Sequence, residues 1–207
     1  DRVNINTKLK IGDKLEIILR EETSDNIYPE FMALDIVFED EYLIIINKPP
    51  GIPVHPSRKH FMGTLANGLM YYLMGKSEDT RIRPINRLDK DTSGLVVFAK
   101  NPQVQHLLSI NERFAFQKEY VAVVGGVLYP ESGEICANIA REAEGSMKRV
   151  VRADGAKAMT HYSVLKSYKD ATLVRIKLVT GRTHQIRVHM SHIGHPLLGD
   201  ELYGGNC

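Results

Sequence analysis

A chain of 207 residues is long enough for one sizeable core. Its 43% hydrophobic and 25% charged residues are ordinary for a soluble globular protein. A formal net charge of +2 excludes a global field that would draw in a polyanion, so any nucleic-acid binding has to come from local basic patches. Cys136 and Cys207 provide neither a disulfide framework nor paired metal-ligand spacing, which fits a reducing, cytoplasmic compartment. No apolar run approaches the roughly 20 residues of a membrane span, and no signal peptide opens the chain.

Near the N-terminus, Val3–Asn6 and Leu15–Leu19 alternate like two strands around the turn at Lys10–Lys14. This segment is too short to fold alone, and Glu21–Pro29, polar and ending in proline, reads as a linker. From Asp35 to Pro50 a hairpin is predicted, with strands at Ile36–Phe38 and Tyr42–Ile46 across the acidic Glu39–Glu41. Four prolines between Asn47 and Pro56 then fix an extended, non-helical path.

Leu65, Leu69, Tyr72 and Leu73 recur at helical spacing in a predicted helix over Thr64–Met74, which Gly75 stops. The Gly-Lys-Ser at its end is not a phosphate loop, because six residues separate Gly68 from Gly75 where four are needed. Between Arg83 and Lys100, Gly94–Ala99 reads as a buried strand, introduced by turn chemistry at Asp91–Gly94. Asp89 therefore sits in a tight loop at the mouth of a core strand, with Arg87 and Lys90 beside it.

Asn101-Pro102 starts the next helix, with Asn101 as cap and Val104, Leu107, Leu108 and Ile110 on its apolar face. Phe116–Gly125 alternates as a strand that puts Phe116, Lys118, Tyr120 and Ala122 on one face. Glu134–Ala140 is a further strand candidate, whereas Arg141–Lys157, loop-like through Gly145 and Gly155, reads as a solvated basic hairpin or a phosphate-contacting arm. Thr160–Leu165 and Ala171–Val179 are predicted to pair. At the end of this region Ile186, Met190 and Ile193 mark a helix, with Thr183 able to cap it and Gly194 and Pro196 ending it. His189 and His192 would share a face of that helix, but His184 would lie roughly 12 Å from His192. No His-Glu-x-x-His arrangement is present, so no metal site is expected.

Four separated segments resemble, in the expected order, the motifs of the RluA-type RNA pseudouridine synthases. They are Asn47-Lys48-Pro49-x-Gly51-x-x-x-His55; Arg87-Leu88-Asp89-x-x-Thr92-Ser93-Gly94; Lys118-x-Tyr120; and Gly181-Arg182-x-His184-Gln185-Ile186-Arg187, continued by Gly194–Asp200. The resemblance covers Asp35 to Gly204. It implies an α+β fold, a long mixed and largely antiparallel sheet with flanking helices and a central active-site cleft. It also implies a catalytic domain over 31–207 that lacks its C-terminal end, preceded in 1–30 by the remnant of an RNA-binding module and a linker.

Isomerising uridine to pseudouridine breaks the N1–C1′ bond and remakes it from C5, with no oxidation and no net hydrolysis, so no cofactor or metal is required. The resemblance makes Asp89 the catalytic carboxylate, acting on C1′ or on the 2′ proton. Arg182 is expected to be its charge partner, because an adjacent guanidinium favours the ionised form. Tyr120 is expected to stack on uracil and shuttle a proton. Arg87 is implied to fill the space that an extruded uridine vacates. Asn86 stands where the family usually has a His that meets the RNA backbone. Lys148, Arg149 and Arg152 form a candidate phosphate-contacting arm. The expected partner is structured RNA, ribosomal or transfer, bound by a monomer without metal or membrane. Two other classes share parts of this pattern. An RNA-binding module without activity would not need Asp89, Tyr120 and Arg182 together, and an N-glycosidic hydrolase would release free uracil.

Overall fold

The computed structural model describes residues 8, 10–14, 27–57, 61–76, 81–110 and 117–205. The strands expected at Val3–Asn6 and Leu15–Leu19, and Phe116 at the head of a later strand, lie outside these residues.

The predicted hairpin is formed by β1 (Ile36–Glu39) and β2 (Leu43–Lys48), closed by Asp40, whose carboxylate accepts from the backbone N–H groups of Tyr42 and Leu43. β2 pairs on its other side with β4 (Gly94–Ala99), and β4 pairs with the two-residue β3 (Arg83–Pro84), giving the antiparallel order β1-β2-β4-β3. Ile44, Ile46, Val96 and Phe98 point from this sheet into a core completed by Leu65, Leu69 and Leu73 of α1 (Leu65–Gly75). Thr64 caps α1 in a capping box with Asn67, as its short polar side chain allows. α2 (Pro102–Ile110) begins where Asn101 Oδ1 accepts from the Val104 N–H at 2.9 Å.

The stretch read as a linker is packed down from Ile27 onward. Ile27 is buried in the first core, the Tyr28 carbonyl accepts from Asn67 Nδ2 at 2.8 Å, and Glu30 accepts from the Gly63 N–H. Gly68 permits this approach: a Cβ there would lie 2.9 Å from Met32 Cβ, closer than side chains tolerate.

The second sheet is built from β5 (Lys118–Gly125), β6 (Ser132–Cys136), β9 (Met159–Ser167) and β10 (Ala171–Leu178) in the antiparallel order β5-β10-β9-β6. Its core centres on Val124, Val174, Ile176 and Met190, the last contributed by α3 (Gln185–His192). The α+β class is as expected. Among the described residues the largely antiparallel sheet is built as two four-stranded sheets whose pairings are all antiparallel, plus a ribbon. That ribbon is a basic hairpin across Arg141–Lys157, beginning two residues earlier at Ile139. β7 (Ile139–Arg141) pairs with β8 (Arg149–Val151), and the single strand expected over Glu134–Ala140 is broken at Asn138, whose side chain turns to the Ala153 carbonyl. Among the described residues no helix is long and apolar enough to cross a membrane.

Glu39, at the end of β1, ties the C-terminal end of α1 and the residue after β4 to the first sheet. Its carboxylate accepts from Tyr72 at 2.6 Å and from Lys76 and Lys100 at 2.9 and 2.8 Å. Burial works to raise its pKa, but the hydrogen bonds from Lys100, Tyr72 and Lys76 outweigh this and bring it from 4.5 down to about 2. A depressed carboxylate contributes stability that is present above its unfolded pKa and lost as pH falls through the folded one. Glu39→Gln is therefore expected to destabilise the protein by about 2 kcal/mol at pH 7, allowing for solvent screening. The gap from the wild type in urea unfolding should close between pH 4.5 and about 2. A gap independent of pH would show that the loss comes from packing alone.

Candidate active site

A cleft of about 730 Å³ lies between the two sheets, lined by the Asp89 loop, the 53–57 segment, β5 and the start of α3. The Asp89 loop is a turn closed by the Thr92 N–H donating to the Asp89 carbonyl, and it enters β4 through Gly94 at φ 122°, a conformation that disfavours a side chain. The proline-rich segment holds this loop from behind. Lys48 is completely buried, and its ammonium donates to the carbonyls of Pro49 (2.9 Å), Ile52 (2.9 Å) and Lys90 (2.8 Å). Burial lowers its pKa, opposed by the charges of Asp91 and Asp89. With all three donors used, the lysine clips the residue after Asp89 onto the end of β2.

Asn86 does the same from the front. Its Oδ1 accepts from the Val97 N–H at 2.8 Å and its Nδ2 donates to the Leu95 carbonyl at 3.0 Å, so the side chain stands in for a missing strand beside β4. The amide expected to meet RNA is thus occupied with its own fold. Arg87, by contrast, is exposed and lines the cleft.

Tyr120 projects from β5, opposite Ile176 of β10, into the same cleft as Asp89 and packs against the second core. Burial, and secondarily the Asp89 charge, raise its pKa, so the hydroxyl keeps its proton. Leu88, Ala122, Leu178 and Ile186 supply apolar lining nearby.

Arg182, expected as the charge partner of Asp89, is not placed beside it. Arg182 lines the cleft rim, but it is exposed and its Nε donates to the Lys157 carbonyl at 3.0 Å. Arg187 faces Asp89 instead, with Nη1 3.7 Å from Oδ2. A second carboxylate fixes that guanidinium: Asp200 accepts from Nε and Nη2, both at 2.7 Å, in a two-pronged pair. His184 is the other close neighbour, its Nε2 3.9 Å from Asp89 Oδ2. His184 and Arg187 are three residues apart across the first turn of α3, the spacing that puts side chains on one helix side. That spacing, with an acid at Asp200 after the Gly194-His195-Pro196 stop, was the signal available in the sequence.

α3 starts differently from expectation too. Its N-cap is His184, in a left-handed conformation (φ 58°), and Thr183 makes no cap. The buried Gln185 side chain takes over the junction. Its Oε1 accepts from the Arg182 N–H and the Thr180 hydroxyl, and its Nε2 donates to Met159 O and Thr160 Oγ1. His189 is equally committed, hydrogen-bonded to Thr160 Oγ1 and to the Ala137 carbonyl, both at 2.9 Å.

The basic arm stands apart from Asp89. Lys148 and Arg149 line a separate cavity of about 230 Å³ against α3. Lys148 lies 3.7 Å from Glu142, and Arg152 is paired with Asp154. Only Met147 of that ribbon reaches the main cleft.

Residues 42–192 match the family described as RNA pseudouridylate synthase. The chain is 41% identical over 203 residues to an uncharacterized RNA pseudouridine synthase of Bacillus subtilis, YhcT, covering 97% of this chain and 67% of that protein. It is 42% identical over 195 residues to the ribosomal large subunit pseudouridine synthase D of Haemophilus ducreyi, covering 94% of this chain and 60% of the relative. Among solved structures it resembles human RNA pseudouridylate synthase domain containing 4, with TM-score 0.64 and 31% identity over 81% of this chain and 68% of that one. It also resembles human RNA pseudouridylate synthase domain containing 1, with TM-score 0.67 and 27% identity over 83% and 70% of the two chains.

Proposed function

The chain belongs to the RNA pseudouridylate synthase family, and from that premise we propose that it isomerises uridines in structured RNA to pseudouridine, with Asp89 as the reacting carboxylate. The observation that carries this reading is the convergence in one cleft of Asp89, a tethered arginine and a protonated Tyr120. In this reading the extruded nucleotide enters the cleft and its uracil stacks on the Tyr120 ring. The Arg187 charge stabilises the Asp89 carboxylate as it attacks C1′ or removes the 2′ proton. The Asp200 pair holds the planar guanidinium in place while charge moves at the sugar. The detached uracil turns within the apolar lining and C5 bonds to C1′. That step frees Asp89 from C1′ in the first route or returns the 2′ proton from it in the second. The C5 proton leaves to solvent by way of the Tyr120 hydroxyl while N1 takes up a proton. Because the base never leaves the cleft, no free uracil is released, unlike the outcome of a hydrolase.

Arg87, at the cleft mouth, is proposed to occupy the space left in the RNA. Lys148, Arg149 and Arg152 are proposed to meet phosphates flanking the target, and the residues before Ile27 to belong to an RNA-binding module. Ribosomal RNA is the proposed substrate class, supported by relatives named for the large ribosomal subunit. Chemical mapping of pseudouridine across total RNA, with and without the gene, tests the function. Loss of discrete sites in large-subunit RNA is expected, and an unchanged map would overturn it.

Tyr120→Phe separates ring from hydroxyl. RNA affinity is expected to stay within about twofold while turnover falls by roughly 10²-fold or more, the range for a proton-transfer group. A purely structural tyrosine would instead show a stability loss of about 1 kcal/mol and normal turnover.

A further inference from the structure

The structure assigns a positioning role to His184: a neutral imidazole, held in one tautomer by the Tyr203 hydroxyl, that presents its Nε2–H to the Asp89 carboxylate. This inference rests on Asp89 being the reacting group.

The tautomer follows from counting protons. Tyr203 is buried, and its hydroxyl oxygen contacts two groups, the Arg149 backbone N–H at 2.9 Å and His184 Nδ1 at 2.8 Å. The backbone N–H can only donate, so it takes a lone pair of the hydroxyl. If Nδ1 carried a proton, it too would donate to this oxygen. The hydroxyl proton would then be left without an acceptor among the described residues, the expensive arrangement for a buried polar group. If the hydroxyl donates to Nδ1, every group is satisfied, and the ring's proton is on Nε2. That nitrogen is the one turned toward Asp89.

The surroundings keep the ring neutral. Burial lowers its pKa, and the nearby Arg187 and Arg149 reinforce this, against the opposing charges of Asp89 and Asp200. A neutral Nε2–H can donate to a carboxylate without neutralising its charge. The present separation of 3.9 Å is about 1 Å beyond a hydrogen bond, a gap of the kind that tightens when substrate fills a site. Arg187 and His184 would then hold the same carboxylate oxygen, Oδ2. This leaves the other oxygen, Oδ1, to react.

The backbone adds a second, independent observation. His184 is the one non-glycine residue at positive φ among the described residues. Glycine would adopt φ 58° without strain, and strained positions gather where a side chain is needed for work. The Tyr203 ring meets the imidazole edge to face, with centroids 5.7 Å apart, and fixes its plane.

Two measurements test this. Long-range ¹⁵N–¹H correlation spectra of histidine-labelled protein are expected to show His184 as the Nε2–H tautomer, and Tyr203→Phe to shift it toward a mixture. A wild-type Nδ1–H tautomer or an imidazolium at pH 7 would overturn the proposal. In single-turnover reactions on RNA, His184→Gly is expected to lower the rate about tenfold or more. RNA affinity should be unchanged and the melting temperature lowered by a few degrees, because losing the acceptor of the buried Tyr203 hydroxyl outweighs the relaxed positive φ; the rate is therefore compared at a temperature where both proteins are folded. His184→Gln, whose amide N–H reaches the Nε2 position, is expected to recover part of that rate. A His184→Gly enzyme at full rate beside an inert Asp89→Asn enzyme would overturn the role of His184 alone. If Asp89→Asn itself keeps its activity, the premise fails, and the role assigned to His184 is overturned with it.

Discussion

Tritium release from RNA carrying 5-tritiated uridine is expected to fall to background in Asp89→Asn, a loss on the order of 10⁴- to 10⁶-fold, as when the reacting side chain of a covalent catalyst is removed. The substitution changes almost no volume. The loop that carries the residue is held by groups the change does not touch: the Lys48 ammonium on the Lys90 carbonyl, the Asn86 amide on β4, and the Thr92 N–H on the Asp89 carbonyl. Folding and RNA affinity are therefore expected to persist. What disappears is the negative charge facing Arg187 and His184. An amide is neither a nucleophile nor a base at this pH, so both attack at C1′ and abstraction of the 2′ proton fail together. Residual release above a few per cent from a folded Asp89→Asn enzyme would remove Asp89 from the chemistry and return the cleft to an RNA-binding reading.

The parts of this site that could be read from the sequence are those set by neighbours along the chain. Gly94–Ala99 is apolar and β-branched, so it had to be a buried strand, and the polar turn before it had to expose Asp89. Thr64 and Asn101 cap their helices through contacts three residues away. The errors fall where distant segments decide. Thr183 has the chemistry of a cap, but Gln185 reaches back from inside the helix and takes the Arg182 N–H. The Arg149–Val151 strand is only three residues long, and its pairing with Ile139–Arg141 leaves no periodicity in a charged stretch. The proline-rich segment reads only as an extended path, yet the lysine at its head is completely buried and clamps the Asp89 loop. Choosing between Arg182 and Arg187 required knowing which end of the strand-to-helix junction faces Asp89, and that depends on how the two sheets approach each other.

That choice is tested by comparing Arg182→Lys with Arg187→Lys. Arg187 is the middle of a chain of charges, Asp89 to Arg187 to Asp200, and its Asp200 partner is only 7% exposed in its side chain. Lysine retains one positive charge but lacks the planar fork, so it can serve one carboxylate well and not both. It is expected to settle on the buried Asp200, since leaving that carboxylate unpaired would be the larger penalty. Turnover should then fall by roughly 10²- to 10³-fold, through lost charge stabilisation at Asp89. Stability should drop by about 1–2 kcal/mol, less than the loss from removing one partner of a buried pair outright. Arg182→Lys removes only an exposed guanidinium hydrogen-bonded to the Lys157 carbonyl, and both turnover and stability are expected to stay near the wild type, within about 0.5 kcal/mol for folding. Thermal melts alongside single-turnover rates distinguish the two sites. An inactive Arg182→Lys beside a fully active Arg187→Lys would make Arg182 the partner of Asp89 in the working complex, with Arg187 left to hold Asp200.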